Sequence, residues 1–293
     1  MDGRLAWYAR YAWRAAARGR IDPLFYGVAL TDRCNLRCAG CRIPSLGRPD
    51  LTWEALEALL RSAHARGFRE LYFSGGEPLL WRDGARTVED GVRLARRLGF
   101  YHVHVYTNGT LGLATSADLV WVSVDGLPET YRRRRGDHFA EVEASIRDRG
   151  HPPVAVLYVV DRTTRDGVEP FLRWVRDTAL PVTGVMFYFQ TPYYGYDRLF
   201  LDAAERAPVI DRLLTCRRLG LPVLNSRAGL LALRSGRWAR RTPAAAVADV
   251  DGESVCCRAP DWCCADCGYA ACTEIVEALR LRPSAVHAMG RYR

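Results

Sequence analysis

The chain has 293 residues, 49% of them hydrophobic, and is therefore long enough to bury one large core. It contains no run of about 18 uncharged apolar residues, so we expect no transmembrane helix. Arginines interrupt the apolar stretches near the N-terminus, so we expect no secretory signal and a cytoplasmic protein. The 42 basic and 33 acidic residues include no lysine, which excludes Schiff-base chemistry through that side chain.

The net charge of +9 permits two interpretations. It is compatible with a surface for anionic partners, such as phosphorylated substrates, lipid headgroups or nucleic acid. The charges are spread along the chain, however, which favours a coding bias toward arginine and alanine. Because we recognise no RNA-binding module, we expect no nucleic-acid partner.

Residues 1–24 form the first predicted unit. The stretch 5–14 is aromatic and basic, and Trp7 and Tyr11 are spaced to contact each other on one helix face. Gly19 and Pro23 end the predicted helix. Such a helix is compatible with lying on a membrane surface or with closing the bottom of a barrel, and we favour packing.

From residue 25 onward, short apolar segments alternate with longer amphipathic ones, which predicts a βα-repeat fold of the α/β class. The predicted strands are 25–31, 71–73, 101–106, 119–124, 154–160 and 182–189. The predicted helices between and after them are 52–64, 88–98, 139–147, 167–177 and 201–219.

Three cysteines, Cys34, Cys38 and Cys41, follow the first predicted strand with the spacing C-x3-C-x2-C. Thiolates at these intervals on one loop can bind three irons of a cubane [4Fe-4S] cluster and leave the fourth iron open. The same triplet is compatible with part of a zinc site or with buried small residues.

A second motif, Gly75-Gly76-Glu77-Pro78, follows the second predicted strand. Two glycines at a strand end let a ligand approach the bare backbone, although the pair alone would be an ordinary turn. Together with the cysteine triplet, this segment resembles the radical S-adenosylmethionine (radical SAM) superfamily.

That resemblance implies a partial (β/α)6 TIM-like barrel over residues 25–225, with its chemistry at the C-terminal ends of the strands. It implies that SAM binds the open iron through its amino and carboxylate groups, with its ammonium at the glycine motif. It also implies an electron donor such as flavodoxin or ferredoxin and reductive cleavage of SAM to a 5'-deoxyadenosyl radical.

Three polar side chains near strand ends are further candidates. Asn108 follows the third predicted strand, and Ser123 and Asp125 lie at the end of the fourth. In related enzymes the equivalent groups approach the SAM carboxylate and ribose, and short polar groups can hydrogen-bond there without filling the pocket. Turn formation is the alternative, since Asn-Gly and Asp-Gly favour turns.

Other polar and aromatic positions receive structural interpretations. The arginine run 132–135 is predicted to be a solvated loop, with a phosphate clamp as the alternative. His102 and His104 share one strand face and are predicted to pack rather than to act as acid-base groups. Aromatic residues within 193–196 are predicted at the barrel mouth, either lining a substrate cavity or forming a lid.

The segment 226–293 is predicted to be a small cysteine-rich extension. Its candidate ligands are Cys256, Cys257, Cys264, Cys267 and Cys272, whereas Cys216 is predicted to lie in the core. The soft thiol set favours a second [4Fe-4S] cluster over zinc, and a set of buried thiols is the remaining alternative. The tail resembles the end of the radical SAM enzymes that make adenosylhopane, and also the auxiliary-cluster (twitch or SPASM-like) domains of other radical SAM enzymes.

We therefore expect a radical SAM enzyme whose radical abstracts hydrogen from, or adds to, a small molecule such as a lipid or natural product. The alternatives are a radical SAM enzyme that modifies a peptide or nucleic acid, and a metal-binding protein without catalysis. The sequence identifies no catalytic side chain beyond the cofactor-binding groups.

Overall fold

The computed structural model describes residues 3–19, 21–192, 195–236, 245–255 and 266–291. All six predicted strands are present, and two further strands follow them. The strands are β1 (Phe25–Ala29), β2 (Glu70–Ser74), β3 (His102–Thr107), β4 (Leu119–Ser123), β5 (Val154–Val160), β6 (Val185–Phe189), β7 (Ala245–Asp249) and β8 (Gly252–Val255). A two-residue hairpin, Arg82–Asp83 with Arg86–Thr87, stands apart from them.

The eight strands form one sheet in the order β8-β7-β1-β2-β3-β4-β5-β6. Strands β1 to β7 all run parallel to one another, and only the edge strand β8 is antiparallel, to β7. Val28 of β1 pairs with Phe73 of β2 on one side and with Ala248 of β7 on the other. The predicted α/β partial barrel is confirmed, and the sequence missed the strands that extend its β1 edge.

The predicted helices are present to within a few residues of their expected positions, and the structure adds further helices, including one over Pro128–Arg135. In chain order the helices are α1 (Gly3–Arg18), α2 (Ile43–Leu46), α3 (Trp53–Ala65), α4 (Val88–Leu98), α5 (Pro128–Arg135), α6 (Phe139–Arg147), α7 (Val168–Asp177), α8 (Ala203–Arg218), α9 (Arg227–Ser235), α10 (Ala270–Leu279) and α11 (Pro283–Gly290). Thr52 caps α3 by accepting a hydrogen bond from the Ala55 backbone. Gly99 ends α4 in the left-handed conformation, at φ +95°.

Alternation along the strands separates two layers of the core. In β3, Val103 and Val105 point outward against α3 and α4, whereas Tyr106 points into the barrel. The inner space is filled largely by aromatic side chains and by α10, which enters from the extension. Cys216 of α8 is fully buried in the outer core, as predicted.

Helix α1 closes the N-terminal end of the barrel. Trp7 donates from Nε1 to the Gly67 carbonyl over 3.1 Å, and Tyr8 contacts Glu70 and His102, the first residues of β2 and β3. The packing interpretation of this helix is therefore confirmed. No helix in the described part of the chain combines the length and apolar character needed to span a bilayer.

His102 and His104 pack inside the structure, as predicted. His102 lies 3.0 Å from Glu70, and His104 accepts a hydrogen bond from Trp121. Complete burial, with a smaller effect of His102, lowers the pKa of His104 to about 3, so that side chain is neutral. The division into residues 1–24, 25–225 and 226–293 stays a prediction, although β7 of the third segment pairs directly with β1 of the second.

Candidate active site

A cavity of 690 Å³ opens at the C-terminal ends of the strands. Its lining brings together most of the predicted site residues, which come from separate segments of the chain: Cys34, Cys38, Cys41, Gly75, Gly76, Asn108 and Ser123. A volume of this size lies within the ~300–1,000 Å³ of typical ligand and cofactor sites. Glu77, Pro78 and Asp125 do not line the cavity; all three are buried behind it.

The cysteine loop is held in place by the end of α5. The Ala39 backbone donates to the Arg134 carbonyl over 2.8 Å, and the Arg134 guanidinium donates back to the Ala39 carbonyl over 2.9 Å. Within the loop, the Cys41 backbone donates to the Cys38 carbonyl. These bonds fix the backbone that carries the three thiols.

Two of the three sulfurs have side-chain N–H donors directed at them. Asn108 Nδ2 lies 3.7 Å from Cys34 Sγ, and Arg135 Nη1 lies 3.6 Å from Cys38 Sγ. The Leu36 backbone also donates to Cys34 Sγ. Burial raises the pKa of both thiols, and these donors act in the opposite direction. Soft thiol ligands with N–H donors to sulfur fit an iron-sulfur cluster.

A single metal ion fits the triplet less well. In the described ranges, no three cysteine, histidine, aspartate or glutamate side chains come close enough together to hold one ion. A structural zinc site needs four ligands converging on one centre. The three thiols instead surround part of a larger cavity.

The prediction of a solvated loop at residues 132–135 is wrong. These residues form the last turn of α5, where Arg132 and Arg133 are exposed, Arg134 is buried and the Arg135 side chain is only 11% exposed. The helix turns Arg134 and Arg135 toward the barrel, where they meet the carboxylates of Asp125 and Asp161 at neighbouring strand ends. The phosphate-clamp alternative also fails for Arg134 and Arg135, because both cations are already paired.

Asp125 is the centre of this buried ion-pair cluster. Its Oδ2 lies 3.0 Å from Arg134 Nε and 2.7 Å from Arg135 Nε, and its Oδ1 accepts from the Val159 backbone over 2.8 Å. Burial alone would raise the pKa of Asp125, but the charges of Arg135 and Arg134 outweigh it and lower the pKa. Asp161 forms a second ion pair with Arg134. Asp125 therefore supports two arginines that line the cavity.

The glycine motif packs directly on the segment that leads into the cysteine loop. The Gly76 backbone donates to the Thr31 carbonyl over 2.7 Å, and the Glu77 backbone donates to the Arg33 carbonyl over 2.8 Å. A Cβ at Gly75 would lie 2.4 Å from the Thr31 oxygen, and one at Gly76 would lie 2.3 Å from the Arg33 oxygen. Only glycine fits here, because each Cβ position is occupied by neighbouring backbone.

Glu77 connects the glycine motif to the turn after β3. Its carboxylate accepts from Thr107 Oγ1 and from the Asn108 backbone, both over 2.8 Å, and from the Leu79 backbone over 3.1 Å. Burial raises the pKa of Glu77, although these hydrogen bonds lower it in part. Pro78 is buried at the start of the short turn Pro78–Leu80.

The floor of the cavity consists of tyrosines that the sequence analysis did not single out. The rings of Tyr72 and Tyr106 meet edge to face, with 5.2 Å between their centroids. The ring of Tyr188 stacks on that of Tyr269, with 4.8 Å between their centroids. Gly27 of β1 leaves the room that the Tyr72 ring fills, because a Cβ there would lie 2.2 Å from that ring. The available signal was strand alternation, which places all three strand tyrosines inward.

Arg48 is a second group that the sequence analysis missed. It forms ion pairs with Asp32 at 2.8 Å, with Asp249 at 2.9 Å and with Asp251 at 2.7 Å. The segment after the cysteine loop is thereby tied to the end of β7. The hydrogen bonds that Arg48 donates to these carboxylates, the ones to Asp32 first, raise the pKa of Arg48.

A sequence model of the radical SAM superfamily matches residues 28–175, just over half of the chain. This chain belongs to the radical SAM superfamily. It is therefore an enzyme of the radical SAM class, which uses a [4Fe-4S] cluster and SAM.

Curated proteins similar to this radical SAM enzyme include GTP 3',8-cyclases. The chain is 30% identical over 213 residues to the probable GTP 3',8-cyclase of Methanothermobacter marburgensis, covering 64% of this chain and 67% of that protein. It is 33% identical over 171 residues to the GTP 3',8-cyclase of Heliobacterium modesticaldum, covering 52% and 51%. The chain thus spans about half to two thirds of the length of these relatives, and neither is named as an adenosylhopane synthase.

Solved radical SAM structures share the fold. Native anSMEcpe with bound AdoMet superposes with a TM-score of 0.60 at 21% identity, covering 80% of this chain and 73% of that chain. Streptococcus suis SuiB bound to precursor peptide SuiA superposes with a TM-score of 0.61 at 12% identity, covering 82% and 61%. At these identities the likeness concerns the fold alone.

The tail cysteines of this radical SAM enzyme are only partly within the described residues. Cys256, Cys257 and Cys264 lie outside them. Cys267 is buried and its Sγ accepts from the Tyr269 backbone, next to the end of β6. Cys272 packs in the apolar cluster that contains Trp7.

The aromatic loop after β6 is also only partly described. Residues 193 and 194 lie outside the described ranges. Tyr196 is exposed, packs against Phe200 and donates a hydrogen bond to Asp266. The two interpretations of this loop, cavity lining or lid, therefore stay predictions.

Proposed function

We propose that Cys34, Cys38 and Cys41 hold a [4Fe-4S] cluster and that SAM is cleaved reductively beside it to a 5'-deoxyadenosyl radical, which acts on a small molecule in the same cavity. The main support for this proposal is that the three thiols and the Gly75-Gly76 backbone line the same cavity. When bound, the cluster supplies an electron to SAM and an open iron for its amino and carboxylate groups.

The remaining groups hold SAM or position those that do. The backbone of Gly75 and Gly76 receives the ammonium, and Asn108 and Ser123 hydrogen-bond to the carboxylate or ribose. Glu77 and Pro78 contribute by fixing the glycine motif, since both are buried behind it. Asp125 contributes indirectly, by keeping Arg134 and Arg135 at the lining.

The substrate is proposed to be a small molecule of low negative charge. GTP is the first compound to test, because the curated relatives are named GTP 3',8-cyclases. A triphosphate needs several cations available for it. Of the arginines that line the described part of the cavity, however, Arg48, Arg134 and Arg135 are ion-paired and only Arg42 is not. The tyrosine floor favours an apolar or aromatic substrate body.

The central experiment measures SAM cleavage by the protein reconstituted with iron and sulfide under anaerobic conditions. With dithionite in place of the proposed flavodoxin or ferredoxin, we expect 5'-deoxyadenosine and methionine to form in equal amounts. If added SAM does not change the spectrum of the cluster and no SAM is cleaved, we would conclude that the chain is a metal-binding protein without catalysis.

Product analysis separates the finer alternatives. Adenine recovered only as free 5'-deoxyadenosine indicates hydrogen abstraction, whereas adenine bonded to the product indicates radical addition, the reaction of the adenosylhopane enzymes that the tail resembles. A several-fold stimulation of 5'-deoxyadenosine formation by GTP, with a cyclised product, would refute the low-charge substrate. If a peptide or an RNA stimulated 5'-deoxyadenosine formation instead, a peptide-modifying or nucleic-acid-modifying enzyme would be favoured.

We also propose a second [4Fe-4S] cluster on the tail, with ligands drawn from Cys256, Cys257, Cys264, Cys267 and Cys272. The local density of thiols supports it. A variant lacking all three loop cysteines should then retain about four iron and four sulfide per chain. Finding zinc instead of iron and sulfide in this variant, or no bound metal, would contradict the proposal of a second cluster.

A further inference from the structure

Helix α1 has two faces of different kinds. The inner face carries Trp7, Tyr8 and Tyr11, which pack at the closed end of the barrel. The outer face is apolar as well: Leu5 is 60% exposed and Trp13 is 70% exposed. Four alanines, Ala6, Ala9, Ala16 and Ala17, are exposed as well, and the remaining exposed side chains of the helix are arginines. A helix that only packed on the barrel would be expected to present polar side chains outward.

The charges on α1 are all positive. The helix contains four arginines, Arg4, Arg10, Arg14 and Arg18, and no acidic residue. Arg4 stacks over Tyr101, and Arg18 pairs with Asp22. Arg10 and Arg14 take part in no ion pair among the described residues. Both therefore remain available to an anion from outside the chain.

Arg10 and Arg14 border a groove of 470 Å³ beside the apolar outer face. The groove is also lined by Arg66, which is paired with Glu253, and by Asp22, which is paired with Arg18. Aromatic rings of Trp7, Tyr11 and Phe68 form its wall. Two available guanidinium groups above an aromatic wall suit a phosphate group whose attached chain is apolar.

We propose that α1 docks this enzyme on an anionic phospholipid bilayer. Leu5 and Trp13 enter the interface, where tryptophan is favoured, and Arg10 and Arg14 bind lipid phosphate in the groove. Each arginine near an anionic membrane surface contributes about 1 kcal/mol, which is about fivefold in partitioning.

Other partners fit this face less well. An RNA partner would use the arginines but would leave Leu5 and Trp13 in water. A second copy of the chain would bring identical arginines together. An anionic bilayer satisfies both the apolar face and its cationic border.

This inference is independent of the proposed function. Helix α1 lies at the N-terminal ends of the strands, whereas the cavity lies at their C-terminal ends. Docking through α1 would leave the mouth of the barrel open to water. Loss of docking should therefore leave SAM cleavage in solution unchanged.

The test is co-sedimentation of the full chain with large unilamellar vesicles of phosphatidylcholine, with or without 30% phosphatidylglycerol. We expect strong binding only to the anionic vesicles. The Arg10→Ser/Arg14→Ser variant should bind about 25-fold more weakly. The Leu5→Glu/Trp13→Glu variant should lose binding, and Leu219→Glu, which changes an exposed leucine elsewhere, should match the wild type. Thermal unfolding should be nearly unchanged in all three, because the altered side chains are exposed.

Several results would overturn the proposal. These are absence of binding to anionic vesicles, equal binding to both vesicle types, or full binding by the Leu5→Glu/Trp13→Glu variant. Binding to RNA that is insensitive to that double variant would assign the arginines to nucleic acid instead. Concentration-dependent dimerisation in light scattering, lost in the same variant without any vesicle binding, would assign the face to a second copy.

Discussion

The two ends of the barrel are stabilised by different kinds of contact. At the mouth, backbone turns and thiols are held by buried ions and hydrogen bonds from distant segments, as Glu77 holds Asn108 and Arg134 holds Ala39. At the closed end, the contacts are mainly aromatic, with Trp7 stacked on Tyr11 and meeting Tyr101 edge to face. Substitutions at the mouth should therefore reduce activity more than stability, and substitutions at the closed end should do the reverse.

The largest effect is expected for Cys38→Ala. Loss of one of the three proposed cluster ligands should reduce SAM cleavage at least ~100-fold, since even groups that only support a metal ligand affect activity 10- to 100-fold. Iron per chain and 5'-deoxyadenosine formation are the measurements. Cys216→Ala, in the outer core, is the matched control and should keep its iron while losing about 1 kcal/mol of stability. If Cys38→Ala cleaved SAM as fast as the wild type, the cysteine loop would not be required for the reaction.

Gly76→Ala should be the next most severe. Its Cβ would collide with the Arg33 carbonyl, so the glycine motif must move away from the cysteine loop, and misplacement of about 1 Å can cost ~100-fold in rate. The rate of SAM cleavage at saturating SAM and the KM for SAM both report this change. Gly290→Ala, where no atom lies within 4 Å of the new Cβ, should behave as the wild type. Unimpaired cleavage by Gly76→Ala would show that the close approach is dispensable.

At the closed end, Trp7→Ala should lower the free energy of unfolding by about 3 to 5 kcal/mol, because it empties a buried aromatic site and removes the bond to Gly67. Denaturant unfolding measures the change, and SAM cleavage by the folded variant should remain near the wild-type rate. Trp13→Ala changes an exposed tryptophan of the same helix and should cost less than about 0.5 kcal/mol. If Trp7→Ala lowered activity without lowering stability, the proposed difference between the closed end and the mouth of the barrel would be wrong.

The smallest effect concerns Glu274, on α10 inside the barrel. Burial raises the pKa of Glu274 to about 7, so between about pH 4.5 and 7 the folded chain keeps a proton that the unfolded chain releases. Stability should therefore fall across that window as pH rises, by about 2 to 3 kcal/mol.

Glu274→Gln tests this directly, because an amide oxygen can still accept from the Ser226 backbone. The variant should show a flatter dependence of unfolding free energy on pH between 5 and 8. Glu54→Gln, on the exposed side of α3, should retain the wild-type slope. An unchanged slope in Glu274→Gln would assign the pH dependence to other groups.

Much of this architecture could be predicted from local sequence. The six barrel strands follow from apolar segments alternating with amphipathic ones, and α3 begins at its predicted cap, Thr52. The thiols of Cys34, Cys38 and Cys41 and the glycines of Gly75-Gly76 were found because their chemistry requires close spacing along the chain. Periodicity and local spacing are properties of neighbouring residues, so the sequence reveals them directly.

Only the tertiary structure decided the contacts between distant segments. Strand β7 joins the sheet beside β1 although more than two hundred residues separate them, and nothing in its short apolar sequence specifies that partner. The burial of Arg134 and Arg135 depends on Asp125 and Asp161, which come from other strand ends. Arginine is usually exposed unless a carboxylate meets it in the core, so its environment is set by folding rather than by its neighbours in the chain.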